Sequence, residues 1–216
     1  MLREIATLPN RMVSRRAPKP GFKLEAGLAV VVGVVSALGM AYVGSQALGE
    51  VEAGAETLRF QFIGAALRPF AGFLVLWIGY TVLGHLLAGV YGGRGPISRL
   101  FRASAWSLIP VGVWLAIRSL VIFVLFLDVD YPADPDGFSA ADKYQNIVEL
   151  GLDTPVYTGL LLAGVLFIAW SWLLLTDAVA TTKNISEDKA RKAAGIPAAL
   201  AALYVVWSAV GHAGIV

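Results

Sequence analysis

The chain contains no cysteine and only two histidines in 216 residues. Without thiols it forms no disulfide, holds no thiolate metal site and carries out no thiol catalysis. His85 and His212 stand in different apolar runs, and their expected depths differ by roughly 20 Å at the rise of a helix. They cannot share a metal, and no cofactor is expected. Charge is also scarce. Asp, Glu, Lys and Arg make up 15% of the residues, whereas hydrophobic residues make up 57%. A soluble domain carries about 25% charged residues, so lipid must solvate much of this surface. The signatures of hydrolytic chemistry are missing too. There is no H-E-x-x-H, no G-x-S-x-G and no pair of aspartates within an apolar run. Nothing supplies a nucleophile with its base or a set of metal ligands. The net charge of +2 gives no footing for a nucleic-acid partner. The expectation is a protein that is not an enzyme.

What the chain does have is long apolar stretches. A bilayer core about 30 Å thick needs roughly 20 apolar residues per helix. Residues 24–48, 69–91, 104–127, 154–180 and 193–215 qualify. Barrel strands would be segments of about 10 residues with alternating polarity, and these runs are continuous and longer. The expected fold is therefore all-α, a polytopic transmembrane helical bundle with five spans. It divides into a basic N-terminal segment, 1–23, and one membrane domain, 24–215. Pro197 falls near the start of the fifth run, where a first-turn proline is tolerated. Pro110 lies within the third and should kink it.

Basic residues orient the bundle. Arg3, Arg11, Arg15, Arg16, Lys19 and Lys23 precede the first span. Arg94, Arg99 and Arg102 lie between the second and third, and Lys183, Lys189, Arg191 and Lys192 between the fourth and fifth. Together these are most of the 17 basic residues, and they fall on one side. The bias predicts a cytoplasmic N-terminus, an external C-terminus and residence in the cell membrane. Glu50, Glu52, Glu56 and the acidic run from Asp128 to Asp153 fall on the other side, as a solvated surface without the spacing of a calcium loop. Asp134-Pro135-Asp136-Gly137 reads as a turn. Ser14-Arg15-Arg16 has the look of a twin-arginine signal. The apolar run that follows is much longer than the ~7–15 residues of a signal core, so cleavage is not expected. Residues 50–67 place Leu58, Phe62, Ala65 and Ala66 on one face, as an interfacial helix leading into Pro69 would.

Small residues recur every fourth position at Gly33, Ala37, Ala41 and Ser45, and again at Gly84, Ala88 and Gly92. Such stripes let helices approach closely, within the bundle or between copies. Arg118 falls near the middle of the third span, where an arginine costs about 2.5–3.5 kcal/mol on insertion scales. It must snorkel, meet carbonyls or a hydroxyl such as that of Tyr80, or face a wet cavity. Asp177 lies near the cytoplasmic end of the fourth span, within reach of a basic loop residue, and His85 lies in the cytoplasmic half of the second.

Between spans two and three stands Gly92-Gly93-Arg94-Gly95-Pro96, then Ser98, Arg99 and Arg102, then Ala105-Trp106-Ser107 and Pro110. It lacks the G-K-[ST] ending of a phosphate loop and reads as a tight turn before a basic helix start. This arrangement resembles the Yip family of five-span membrane proteins, with its Gly-Gly, third glycine, short helix, small-aromatic-small cluster and proline. Leu8-Pro9 before a basic lead-in is similar to the prokaryotic branch. The resemblance implies a helical bundle that recruits or organises membrane components without catalysis, with Gly92, Gly93, Gly95, Arg99, Arg102 and Pro110 as motif positions. The Asp-Leu-x-Gly-Pro motif of eukaryotic members is missing, so their GTPase binding is not carried over. Two functions stay open. One is an adaptor or scaffold with the bilayer, other membrane proteins or further copies of itself as partners. The other is a subunit of a small transporter or channel, drawn from Arg118, Pro110 and His85.

Overall fold

The computed structural model describes residues 22–48, 55–129 and 139–212. Residues 1–21 of the basic N-terminal segment, Glu50 and Glu52, and the Asp134-Pro135-Asp136-Gly137 turn lie outside them. Among the described residues every regular element is a helix: α1 Lys23–Ala47, α2 Ala55–Val90, α3 Ile97–Ser107, α4 Ile109–Leu125, α5 Ala140–Leu152, α6 Pro155–Lys183 and α7 Glu187–His212. Five stretches are long and apolar enough to cross a membrane, α3 and α4 together forming the third. Their outward faces are lined by exposed aliphatic side chains such as Val31, Leu38, Val75, Leu166 and Leu203. A soluble protein would bury that surface, and in lipid it is the solvated one.

α6 and α7 form a hairpin, α1 packs on α2 and α4, and α7 closes the bundle against α2. The third span is broken rather than kinked. Leu108 leaves helical geometry and Pro110 occupies the first turn of α4. A proline has no N–H to give to the preceding turn and its ring crowds the carbonyl four residues back. The Ser107 carbonyl at the break accepts the Ser171 hydroxyl of α6 at 2.6 Å. That bond satisfies a backbone group for which lipid offers no partner.

Two segments go beyond the sequence expectation. α2 begins at Ala55 and passes through Pro69 without interruption. The face formed by Leu58, Phe62, Ala65 and Ala66 is buried, which offsets the roughly 3 kcal/mol that an interior proline costs. The acidic stretch after the third span also contains a helix, α5. Its start is a capping box: Ser139 accepts the Asp142 backbone N–H while the Asp142 carboxylate accepts the Ser139 N–H. Ile147 and Leu152 anchor α5, and the Tyr144 ring meets Phe62 edge-on, centroids 5.1 Å apart.

The close-packing stripe of α1 also differs. Gly33 is buried against Phe70, but Ala41 and Ser45 are exposed. The buried line runs through Gly33, Ser36, Met40, Val43 and Ala47. A strict four-residue repeat advances about 400° per step, so it winds off any one face within a few turns. Alternating steps of three and four stay on the face.

Candidate functional site

The turn joining α2 to α3 is built by its glycines. Gly92 has φ +81°, and its N–H donates to the Gly89 carbonyl at 3.0 Å. The Gly93 N–H donates to the Ala88 carbonyl at 2.8 Å. These paired bonds around a left-handed residue make a Schellman termination, which satisfies carbonyls that the end of α2 would leave open. α6 ends in a related way: Asn184 is left-handed at φ 53° and the Ile185 N–H reaches the Ala180 carbonyl. The two helix ends lie side by side. Arg94 donates its N–H to the Lys183 carbonyl at 2.8 Å, and Gly95, at φ +145°, sits directly against the Thr182 carbonyl.

Lys183 joins them a second time. Its side chain is buried, donates to the Gly95 carbonyl at 2.6 Å and meets Nδ1 of His85. Among the described residues no carboxylate forms an ion pair with this ammonium. Two helix C-termini converge here, each carrying roughly half a negative charge, and the Gly95 carbonyl adds its own dipole. That environment explains a buried cation with only neutral partners. Replacing Lys183 with Met keeps the aliphatic stem but removes the charged donor to the Gly95 carbonyl, a bond worth about 1.5–3 kcal/mol. Lys183→Met should therefore lower the unfolding temperature in detergent and speed amide exchange across residues 92–96. A variant that matches the wild type in both would show that the contact contributes nothing.

The helix after the turn is fixed from three directions. The Trp77 indole of α2 stacks on Phe101 with centroids 4.4 Å apart and donates Nε1–H to the Phe101 carbonyl at 2.7 Å. Thr81 and Ser104 share a hydrogen bond at 2.7 Å, both buried. Trp106, the aromatic of the small-aromatic-small cluster, donates its indole N–H to the buried carboxylate of Glu25 on α1 at 2.9 Å. With α3 so held, Arg94 and Arg99 are exposed, as are Lys189, Arg191 and Lys192 at the start of α7. Arg102 is half-buried instead.

A sequence model of the Yip1 domain matches residues 7–210, nearly the whole chain. The chain belongs to the Yip1 family. With five membrane-length helices it is an integral, multi-pass membrane protein of that family. Comparison with curated proteins and with solved structures finds no match.

In this Yip1-family chain, Gly95 and His85 meet the Lys183 side chain, Gly92 and Gly93 shape the turn that leads there, and Pro110 sets the break after α3. By sequence, Lys183 groups only with the orienting charges. Its signal in the sequence was Asn184 directly after it, a residue suited to a left-handed helix cap. Arg118 lies elsewhere, toward the α5 end of the bundle. The sequence suggested Tyr80 as a hydroxyl partner. The structure assigns Tyr157: Nε and Nη2 of Arg118 donate to its hydroxyl at 2.9 and 2.7 Å. Tyr80 is buried, and its hydroxyl has no hydrogen-bond partner among the described residues. Asp177 is half-buried on α6, more than one turn before Lys183. His212 ends α7, far along the chain from His85 and Lys183. No three metal-ligating side chains gather among the described residues.

Proposed function

We infer that this Yip1-family protein is a non-enzymatic scaffold of the cell membrane, and that it recruits other membrane components through the end bearing the α2–α3 turn. The observation that carries the reading is the lock on that turn. Backbone and side chain of Lys183 fasten residues 94 and 95 to α6, so Arg94 and Arg99 are presented on a rigid base. A recognition surface gains affinity when its shape is fixed before binding. Exposed Lys189, Arg191 and Lys192 extend the cationic surface. The excess of basic residues at this end supports its placement in the cytoplasm. A cationic surface there suits acidic partner segments and speeds their capture.

The transporter or channel reading drew on Arg118, Pro110 and His85. Each has a local partner or a structural part here: the Tyr157 hydroxyl, the α3–α4 break and Lys183. The scaffold reading is the better supported. It is tested by crosslinked co-purification from native membranes in mild detergent, with an Arg94→Ala/Arg99→Ala double variant beside the wild type. Both residues are exposed, so folding should be unaffected. Loss of two charged contacts should reduce a stoichiometric partner by roughly tenfold or more. Recovery of the wild type with no partner at all would refute the scaffold role.

A further inference from the structure

We propose that His85 makes the α2–α3 turn a pH-sensitive latch: its imidazole meets the Lys183 ammonium only while Nδ1 is unprotonated, and a proton taken up there releases the turn from α6. The effect of pH on recruitment rests on the scaffold function proposed for this turn. The opening of the latch does not.

The geometry sets the charge state. The Lys183 ammonium donates to the Gly95 carbonyl at 2.6 Å and meets Nδ1 of His85. An ammonium has donors and no acceptor, so the ring nitrogen opposite it supplies a lone pair and the ring hydrogen sits on Nε2. The pair then carries one positive charge. The C-termini of α2 and α6 converge on it, each equivalent to roughly half a negative charge. Together they balance one cation and not two. Protonating Nδ1 removes an acceptor and sets an imidazolium against a buried ammonium. The flexible lysine chain is driven off, and Gly95 loses its donor. With that anchor gone the turn lifts, and the Arg94 N–H leaves the Lys183 carbonyl.

The surrounding elements do not absorb the second charge. On α6, Asp177 stands about 9 Å before Lys183 along the axis and well around the helix from it. On α1, Lys23 is exposed and the Glu25 carboxylate accepts from Trp106. Arg94 in the turn and Arg99 on α3 are exposed, and Arg102 is half-buried. At the start of α7, Glu187 pairs with Arg191 at 2.6 Å, while Asp188, Lys189 and Lys192 are exposed. The balance is cationic.

A proton can reach the ring. His85 is half-buried and lies about 8 Å before the end of α2, close to the interface. The chain has one other histidine, His212, about 38 Å along α7 from Glu187. An imidazole ordinarily titrates near pH 6.5, and His85 is the only one at this end. The closed latch binds one proton fewer than the open one. Its stability is therefore constant above about pH 6.5 and falls as the pH drops below that. One unit lower, the open population should be roughly tenfold greater.

The test is amide hydrogen exchange of the full chain in detergent at pH 7.5 and 5.5, read as protection factors so that the intrinsic pH dependence cancels. Protection of the Arg94 amide should fall roughly tenfold at the lower pH, with amides in the middle of α1 unchanged. His85→Gln, whose amide oxygen accepts from the ammonium at either pH, should abolish the difference, and His212→Gln should keep it. Should His85→Gln fold poorly, Lys183→Met supplies the same test, because without the ammonium no second charge is confronted. Equal protection of the wild type at the two pH values would overturn the latch. So would a tenfold fall that persists in His85→Gln or Lys183→Met. Crosslinked co-purification at pH 5.5 reads the consequence separately. A partner retained there while protection falls would count against recruitment by this turn and leave the latch standing.

Discussion

Gly95→Ala should destabilise the protein by about 3 kcal/mol or more and release the α2–α3 turn from α6. Two costs combine. The backbone at φ +145° belongs to a region that side-chain-bearing residues occupy only under strain, at roughly 1–3 kcal/mol. An added Cβ would also meet the Thr182 carbonyl, a backbone group at the end of a packed helix. It cannot rotate aside as a side-chain tip would. The turn would lift, and the Lys183 ammonium would lose its carbonyl acceptor while staying buried. Gly92→Asn is the control. Gly92 is also left-handed but faces open space, and asparagine tolerates that conformation. Thermal unfolding in detergent should separate the two, with Gly92→Asn close to the wild type. If Gly95→Ala melted with the wild type, the close approach of the turn to α6 would be wrong.

The second large effect is expected at Gly39. Here α1 and α4 approach so closely that the Gly39 N–H donates to the Ser119 hydroxyl at 2.8 Å, and a Cβ would meet the Ser119 carbonyl. Helices separate rigidly, so one methyl group displaces the whole contact. Overpacking of this kind costs about 1–3 kcal/mol. Gly39→Ala should therefore lower stability, whereas Gly27→Ala on the same helix, with nothing within 4 Å, should raise it by up to about 1 kcal/mol through helix propensity. Opposite signs for the same substitution on one helix would be hard to reproduce without the α1–α4 contact. Equal shifts at the two positions would refute it.

Much of this architecture can be read from the residues because lipid imposes simple rules. Membrane-length apolar runs show themselves, and Pro110 announces a disturbance because its ring crowds the preceding turn and it has no N–H to give. The glycines of the turn were visible for the same reason: few other residues take a positive φ. What the pattern hid were pairings between distant helices. Lys183 has the same sequence signature as any lysine that orients a span, and only the meeting of two helix ends distinguishes it. Glu25 stands at the very start of the first span, next to the orienting charges, yet it lies buried against Trp106. Tyr157 stands at a helix start, where tyrosine is common at membrane interfaces, so nothing singled it out for Arg118. α5 could have been found. Ser139 and Asp142 have capping spacing, and Tyr144, Ile147, Val148 and Leu152 follow at helical intervals, but the surrounding aspartates made the stretch resemble a solvated loop.

The length of α2 bears on how the bundle meets the bilayer. Its 36 residues span about 54 Å, against a hydrocarbon core of about 30 Å. Even a steep lean of about 40° leaves a projected length near 41 Å, well beyond that core. Phe60, Ile63 and Leu67 stay exposed along the surplus, so that part of the helix is not wetted without cost. Glu56, Arg59 and Arg68 are exposed on the same surplus, so it stands in the headgroup layer, and the roughly 22 residues after Arg68 match the core. A helix shaped this way carries its own shelf beyond the hydrocarbon, and α5 rests on that shelf through Phe62 and Tyr144.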